Sequence, residues 1–185
     1  MAAEEGGGGL TPEEIEATVV FLFSAGHHTT RNLVGNGVLA LLREPGLWAR
    51  LAADPSLVPA AVEEGLRFEP SINYAPRRAR SDAVFDETRI PEGDLVFLSL
   101  PGANRDPARF ADPDRFDIGR PNNDHVAFGG GIHHCLGASL ARAEVQILLA
   151  ELVRRHPRLT LGDQPVVWRE TMTYRGLEAL HVVAG

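Results

Sequence analysis

The chain carries one cysteine, in the segment Phe128-Gly129-Gly130-Gly131-Ile132-His133-His134-Cys135-Leu136-Gly137. Gly129 and Gly131 allow positive φ and let the main chain approach a flat ligand with no Cβ in the way. Beyond the loop, Ala141, Val145, Leu148, Leu149 and Leu152 recur with helical period, so a helix begins near Cys135 or Gly137. A sulfur at a helix N-terminus feels the positive end of the dipole and unpaired N–H donors, which favour the thiolate. Thiolate is the form of cysteine that binds iron.

Other readings of these residues stand beside that one. A lone cysteine is most often a small buried hydrophobe. A glycine-rich loop opening a helix can cradle phosphate, although no Lys or Ser/Thr follows the glycines as a P-loop requires. His133, His134 and Cys135 could hold zinc, but adjacent ligands rarely face one ion and no CxxC or HxxxH partner is present.

The spacing Phe-Gly-x-Gly-x-His-x-Cys-x-Gly, met by Phe128, Gly129, Gly131, His133, Cys135 and Gly137, resembles the signature of the cytochrome P450 heme-thiolate monooxygenases. A match at so many fixed positions arises by chance far less often than a lone GxGxxG. The resemblance implies heme b (iron protoporphyrin IX) as cofactor, with Cys135 as the axial ligand of its iron. It implies insertion of one oxygen atom from dioxygen into a small hydrophobic organic substrate. Electrons would come from NAD(P)H through a separate ferredoxin and ferredoxin reductase, since no segment resembles a flavin or iron–sulfur domain.

Three further segments fit the same resemblance. Ala25-Gly26-His27-His28-Thr29-Thr30 is similar to the family's oxygen-binding helix motif: Ala25 and Gly26 leave room over a heme face, and Thr29 orients bound dioxygen and passes protons. His28 stands where the family has an acid; a histidine can relay protons, but it is bulkier than a carboxylate and can itself ligate iron. Taken alone, Thr29 is a mid-helix threonine that bonds back to its own helix. Glu64 and Arg67, three apart on one helix face, read alone as a solvated pair. In the family such a pair joins a later arginine in a buried network that supports the cysteine loop. Asp112-Pro113-Asp114-Arg115-Phe116 resembles the segment supplying that arginine, which assigns Arg115, with Arg120 as the alternative. Arg78, otherwise an exposed strand residue, and His133 occupy positions where the family binds heme propionates, anions that gain from charge-assisted hydrogen bonds. Tyr74, Ala75, Met172 and Thr173 match regions that touch substrate.

The elements that position these residues follow from capping and proline signals. Thr11-Pro12-Glu13-Glu14 starts a helix running to about Leu42. Its middle, Phe21 to Thr30, is apolar and small, which predicts a buried helix that meets a ligand part-way along. Pro45, Pro55, Pro59 and Pro70 bound two shorter helices, Leu47 to Ala53 and Leu57 to Phe68. Strand-like runs lie between Tyr74 and Leu100, Leu95 to Leu100 among them, and near Leu159 to Leu161, Val166 to Trp168 and Leu180 to Val183. The fold class is mainly α with small peripheral β-sheets, implied by the resemblance to be the C-terminal heme-binding half of the cytochrome P450 fold. Residues 1–9 read as a flexible tail and 10–185 as the partial heme-binding domain.

At 185 residues and 44% hydrophobic content the chain can bury one core. A net charge of -7 gives no basic field for nucleic acid. The apolar run Val19 to Phe23 is too short to cross a bilayer, and the opening residues lack a signal peptide's pattern, so no membrane role and a cytoplasmic location are expected. The resemblance begins at the family's mid-chain helix. It implies that apolar faces normally covered are left bare, inviting self-association or a partner that covers the missing half.

Overall fold

Helix α1 (Pro12–Arg43) begins at a reciprocal cap. Thr11 Oγ1 accepts the Glu14 N–H at 3.2 Å, and the Glu14 carboxylate accepts the Thr11 N–H at 2.8 Å. Two N–H groups that a helix start leaves bare are thereby satisfied. The computed structural model describes residues 9–185, so the tail expected over 1–9 falls, except for Gly9, outside the described residues.

Helices α2 (Leu47–Ala53) and α3 (Val58–Phe68) follow, then strands β1 (Tyr74–Arg78), β2 (Ala83–Phe85), β3 (Thr88–Ile90) and β4 (Leu95–Ser99). A short helix α4 (Leu100–Ala103) leads into a long irregular passage ending at α5 (Ala138–Arg155). Strands β5 (Thr160–Leu161), β6 (Val167–Trp168), β7 (Leu177–Ala179) and β8 (Val182–Val183) complete the described chain. The strands pair antiparallel as β1 with β4, β2 with β3, β5 with β8 and β6 with β7, small sheets around a helical core. Of the run expected over Leu180 to Val183, only Val182–Val183 forms a strand, and the neighbouring β7 lies before it at Leu177–Ala179 with a different partner.

The core is the meeting of three helices. Leu33, Val38 and Leu41 of α1 join Ala61, Val62 and Leu66 of α3 and Val145, Leu149 and Val153 of α5 in one buried cluster. Burying a side chain of this size contributes about 1.5–3 kcal/mol, which is why these faces set the arrangement. Trp48 of α2 reaches the far end of α5, where its indole N–H donates to the His156 carbonyl at 2.8 Å. Trp168 lies at the terminal sheets, with the Arg175 guanidinium 3.9 Å over its ring.

The N-terminal part of α1 corrects one expectation. Instead of being buried, the run Val19 to Phe23 is bare, with Phe21 67% and Phe23 76% exposed. Helix α1 enters the core only from Asn32 onward. A helix segment apolar on all sides belongs in the interior of something larger, and the described residues do not surround it. The bare apolar face implied by the family resemblance is thus present.

The passage of the C-terminal loop across α1 depends on a missing side chain. A Cβ on Gly176 would lie 2.4 Å from Asn32 Cγ and Oδ1. Gly176→Ala is expected to destabilise the chain by about 1–3 kcal/mol through overpacking. Gly37→Ala, at a mid-helix position where a Cβ meets nothing within 4 Å, is expected to stabilise it by about 0.5–1 kcal/mol; urea unfolding of both variants measures the contrast.

Candidate functional site

The cysteine loop folds back on itself through its own backbone. Gly129 and Gly131 adopt φ of +69° and +61°, the left-handed region that glycine enters without strain. Gly129 N–H donates to Val126 O at 2.8 Å, His134 N–H to Gly131 O at 3.1 Å, and Cys135 N–H to Phe128 O at 2.9 Å. Helix α5 starts at Ala138 with Gly137 as its cap, so Cys135 sits just before its first turn. A Cβ on Gly137 would lie 4.0 Å from the sulfur.

The sulfur is exposed, which removes the buried-hydrophobe reading of Cys135. Around it Ile132 and Leu136 are 97% and 89% exposed. Among the described residues no group of three or more His, Cys, Asp or Glu side chains is placed to hold a metal ion, so His133 and His134 do not converge with Cys135 on zinc. A single thiol on a glycine-rich turn, flanked by bare apolar side chains, is a donor set suited to heme, whose porphyrin supplies the other ligands.

Behind the loop lies a buried charge network. Glu64 and Arg67 of α3 are both 0% exposed, and Arg67 donates from Nε and Nη2 to the two carboxylate oxygens at 2.8 Å each. They are therefore not a solvated surface pair. Arg67 also donates to the carbonyls of Asn104 at 2.9 Å, Pro113 at 2.8 Å and Arg115 at 3.0 Å. Glu64 accepts from the Asp117 N–H at 2.8 Å, Arg120 Nε at 3.3 Å and Asn123 Nδ2 at 3.1 Å. This corrects the assignment of Arg115: its side chain is exposed, only its carbonyl joins the network, and Arg120 supplies the second guanidinium. The turn through Asp112 to Arg115 directs main-chain carbonyls at α3, which the sequence pattern does not reveal.

A second network, unread in the sequence, begins at the neighbouring residue. Glu63 accepts from Arg142 Nε at 2.7 Å and Nη2 at 3.0 Å, and its Oε2 lies 3.0 Å from His125 Nε2. Burial alone would raise the Glu63 pKa, but the His125 and Arg142 hydrogen bonds outweigh it and hold the carboxyl at about 2. Glu63 looks like any surface acid in sequence because its partners lie 62 and 79 residues away. Asn104 was missed for the same reason; it is fully buried and its Oδ1 accepts the Val126 N–H at 2.7 Å, just before the cysteine loop.

On the α1 side, Thr29 Oγ1 donates to Ala25 O at 2.7 Å, the bond a mid-helix threonine makes whatever its function. The Thr29 carbonyl accepts from Ser71 Oγ at 2.7 Å. Asn73 N–H donates to Thr173 O at 2.9 Å, and its amide to Met172 O at 3.3 Å. The His28 ring lies 6.0 Å from that of Tyr174. Residues 28–29, 71–73 and 172–174 are thus drawn together from three distant parts of the chain. A Cβ on Gly26 would meet nothing within 4 Å, so space lies beside it. Arg78 stands on the exposed strand β1 and donates to Gly93 O at 2.5 Å, while His133 is exposed on the single turn Gly131–His133. These two make no direct hydrogen bond to each other.

Known proteins are similar to this chain in sequence and in fold. A family description headed Cytochrome P450 matches residues 1–166. Cytochrome P450 107B1 of Saccharopolyspora erythraea is 48% identical over 188 aligned residues, covering 100% of this chain and 46% of that protein. The vitamin D(3) 25-hydroxylase of Pseudonocardia autotrophica is 45% identical, covering 99% of this chain and 46% of its own length. Among solved structures, tirandamycin C-bound P450 monooxygenase TamI superposes with a TM-score of 0.91 at 45% identity, over 95% of this chain and 45% of that one. CYP109E1 from Bacillus megaterium, in complex with testosterone, superposes at 0.95 with 35% identity, over 100% and 51%. The chain belongs to the cytochrome P450 family. It spans about half the length of the curated relatives it matches.

The two networks give separable expectations. Arg120→Ala is expected to cost about 1.5–3 kcal/mol, the usual worth of a hydrogen bond to a buried charge. Arg115→Ala should stay within about 0.5 kcal/mol of the parent in urea unfolding, because the carbonyl is retained. For Glu63, the folded carboxyl ionises at about 2 against an ordinary 4.5. Its pairing therefore stabilises the fold fully above 4.5, and that stability drains away as pH falls from there toward 2. Unfolding measured across that window should show a shallower acid slope in Glu63→Gln than in the parent.

Proposed function

We propose that this chain is the C-terminal heme-binding portion of a monooxygenase that inserts one oxygen atom from dioxygen into a small hydrophobic organic substrate. The observation that carries this reading is the exposed Cys135 sulfur on a loop whose glycines leave the approach to it open. Heme b held through a thiolate supplies dioxygen activation, with electrons delivered singly from outside. The neighbours seen with tirandamycin C and with testosterone support an organic substrate of mainly apolar character.

Each side chain then has a task of its own. Cys135 holds the iron through its sulfur, and the Cys135 N–H bond to Phe128 O keeps that sulfur at the tip of the loop. Phe128, Gly129, Gly131 and Gly137 form the cradle beneath it. Arg78 and His133 offer cationic or N–H groups to the propionates. Ala25 and Gly26 keep the α1 side open, and Thr29 Oγ1, with its proton on Ala25 O, still has lone pairs with which to accept a hydrogen bond. His28, in the acid's place, exchanges protons at a ring nitrogen. Met172, at the junction of the three drawn-together segments, and Tyr74, which follows Asn73 there, would touch substrate. Glu64, Arg67 and Arg120 hold the passage that carries the loop. Among the described residues no helix is long and apolar enough to cross a membrane, and a cytoplasmic location with a ferredoxin and its reductase as electron source completes the proposal.

The bare apolar run Val19 to Phe23 favours a second reading, a non-catalytic homologue that docks on a partner through that face. Reduced, carbon-monoxide-treated protein expressed with heme precursor separates the two. The monooxygenase reading expects a red-shifted Soret band that Cys135→Ser abolishes; protein that takes up no heme supports the docking reading.

A further inference from the structure

Arg142 stands on the second turn of α5 and meets two groups at once. Its fork donates to both Glu63 oxygens, and its guanidinium carbon lies 4.6 Å from the centre of the Phe128 ring. Glu63 is braced from its other side by His125, whose side chain is 2% exposed. The Ala127 N–H donates to His125 Nδ1 at 3.3 Å, so Nε2 is the nitrogen that carries the proton toward Glu63. Contacts therefore run from α3 through a fixed guanidinium to the ring of Phe128, and the carbonyl of that same residue accepts the Cys135 N–H at 2.9 Å.

We propose that Arg142, fixed by Glu63 and His125, is a positioning residue for Cys135. It clamps the Phe128 ring and thereby holds the backbone bond that closes the loop beneath the sulfur. Bidentate pairing fixes the plane of a guanidinium, and a fixed plane is what stacking on an aromatic face requires. Lysine keeps the charge but has neither fork nor plane. The Phe128 ring also has His125 at 6.1 Å and His134 at 6.4 Å between ring centres, so it is hemmed by three side chains, of which Arg142 alone is anchored on both α5 and α3. The clamp acts on the loop with or without a cofactor; its bearing on heme retention rests on the reading of Cys135 given above.

Amide hydrogen exchange of the heme-free chain, followed residue by residue by NMR, tests the clamp. Arg142→Gln and Glu63→Gln are expected to speed exchange at the Cys135 amide about tenfold or more, while Leu149 and Val153 in the core of α5 stay within about twofold. Phe128→Leu, which keeps the ion pair and removes the ring, should match Arg142→Gln. Arg142→Lys should fall between variant and parent. Arg154→Gln, which breaks only an exposed pair with Glu151, should leave Cys135 unchanged.

Cys135 exchange within about twofold of the parent in Arg142→Gln overturns the proposal, as does a rise shared equally by Leu149, which marks general loosening. Should Arg142→Gln fail to fold, Phe128→Leu and Arg142→Lys decide, and unchanged exchange in both overturns it. In heme-loaded protein, Arg142→Gln is expected to lose heme to apomyoglobin about tenfold faster than the parent. A parent that takes up no heme defeats the heme reading alone, because the exchange experiment still decides the clamp.

Discussion

The fully buried Glu64–Arg67 pair is the contact on which the rest of the molecule depends. Helix α3 is held to α1 and α5 by ordinary apolar packing, but the long irregular passage between α4 and α5 has few apolar side chains to bury. Phe110, Phe116 and Ile118 are the buried ones among its hydrophobic residues. Its order comes instead from main-chain groups turned inward onto two charged side chains. Arg67 takes three carbonyls, and Glu64 takes an N–H, a second arginine and an asparagine amide. Desolvating two charges is costly, and removing one partner of a buried pair costs about 3–5 kcal/mol. The carbonyls and N–H groups gathered around the pair offset that desolvation, and the passage has its own buried polar groups satisfied in return.

Two adjacent acids divide the labour. Consecutive residues on a helix point about 100° apart, so Glu63 and Glu64 face different parts of the same passage. Glu64 looks toward 117–123, and Glu63 toward His125 and α5. Between them, with Asn104, they pin positions 123, 125 and 126 by side chain or backbone immediately before the cysteine loop. The loop therefore leaves a rigid base and needs only its glycines and the Phe128–Cys135 bond to set its shape.

Local signals were legible where local physics decides the outcome. The cap and proline at Thr11-Pro12 and the prolines bounding α2 and α3 placed those helices to within a residue, and the helical period after Cys135 placed the start of α5 to within three. The glycines at 129 and 131 were correctly read as positive-φ positions because no side chain competes there. What escaped is what depends on distance along the chain. Arg115 and Arg120 look equivalent in sequence, and only the turn between them decides which sends its side chain to Glu64. Glu63, His125, Arg142 and Asn104 carry no local pattern at all. The N-terminal part of α1 was read as buried from its composition, since composition reports what a segment would bury and not what lies beside it.

The two tryptophans occupy unlike surroundings, and this gives the molecule two built-in optical probes. Trp48, 5% exposed with its N–H on the His156 carbonyl, emits from within the three-helix core. Trp168 lies among the terminal strands under a guanidinium that is itself paired with Glu69. Each indole thus reads the solvent around a different unit of structure, and the difference in their emission reports whether the helical core and the terminal strands come apart together or in sequence.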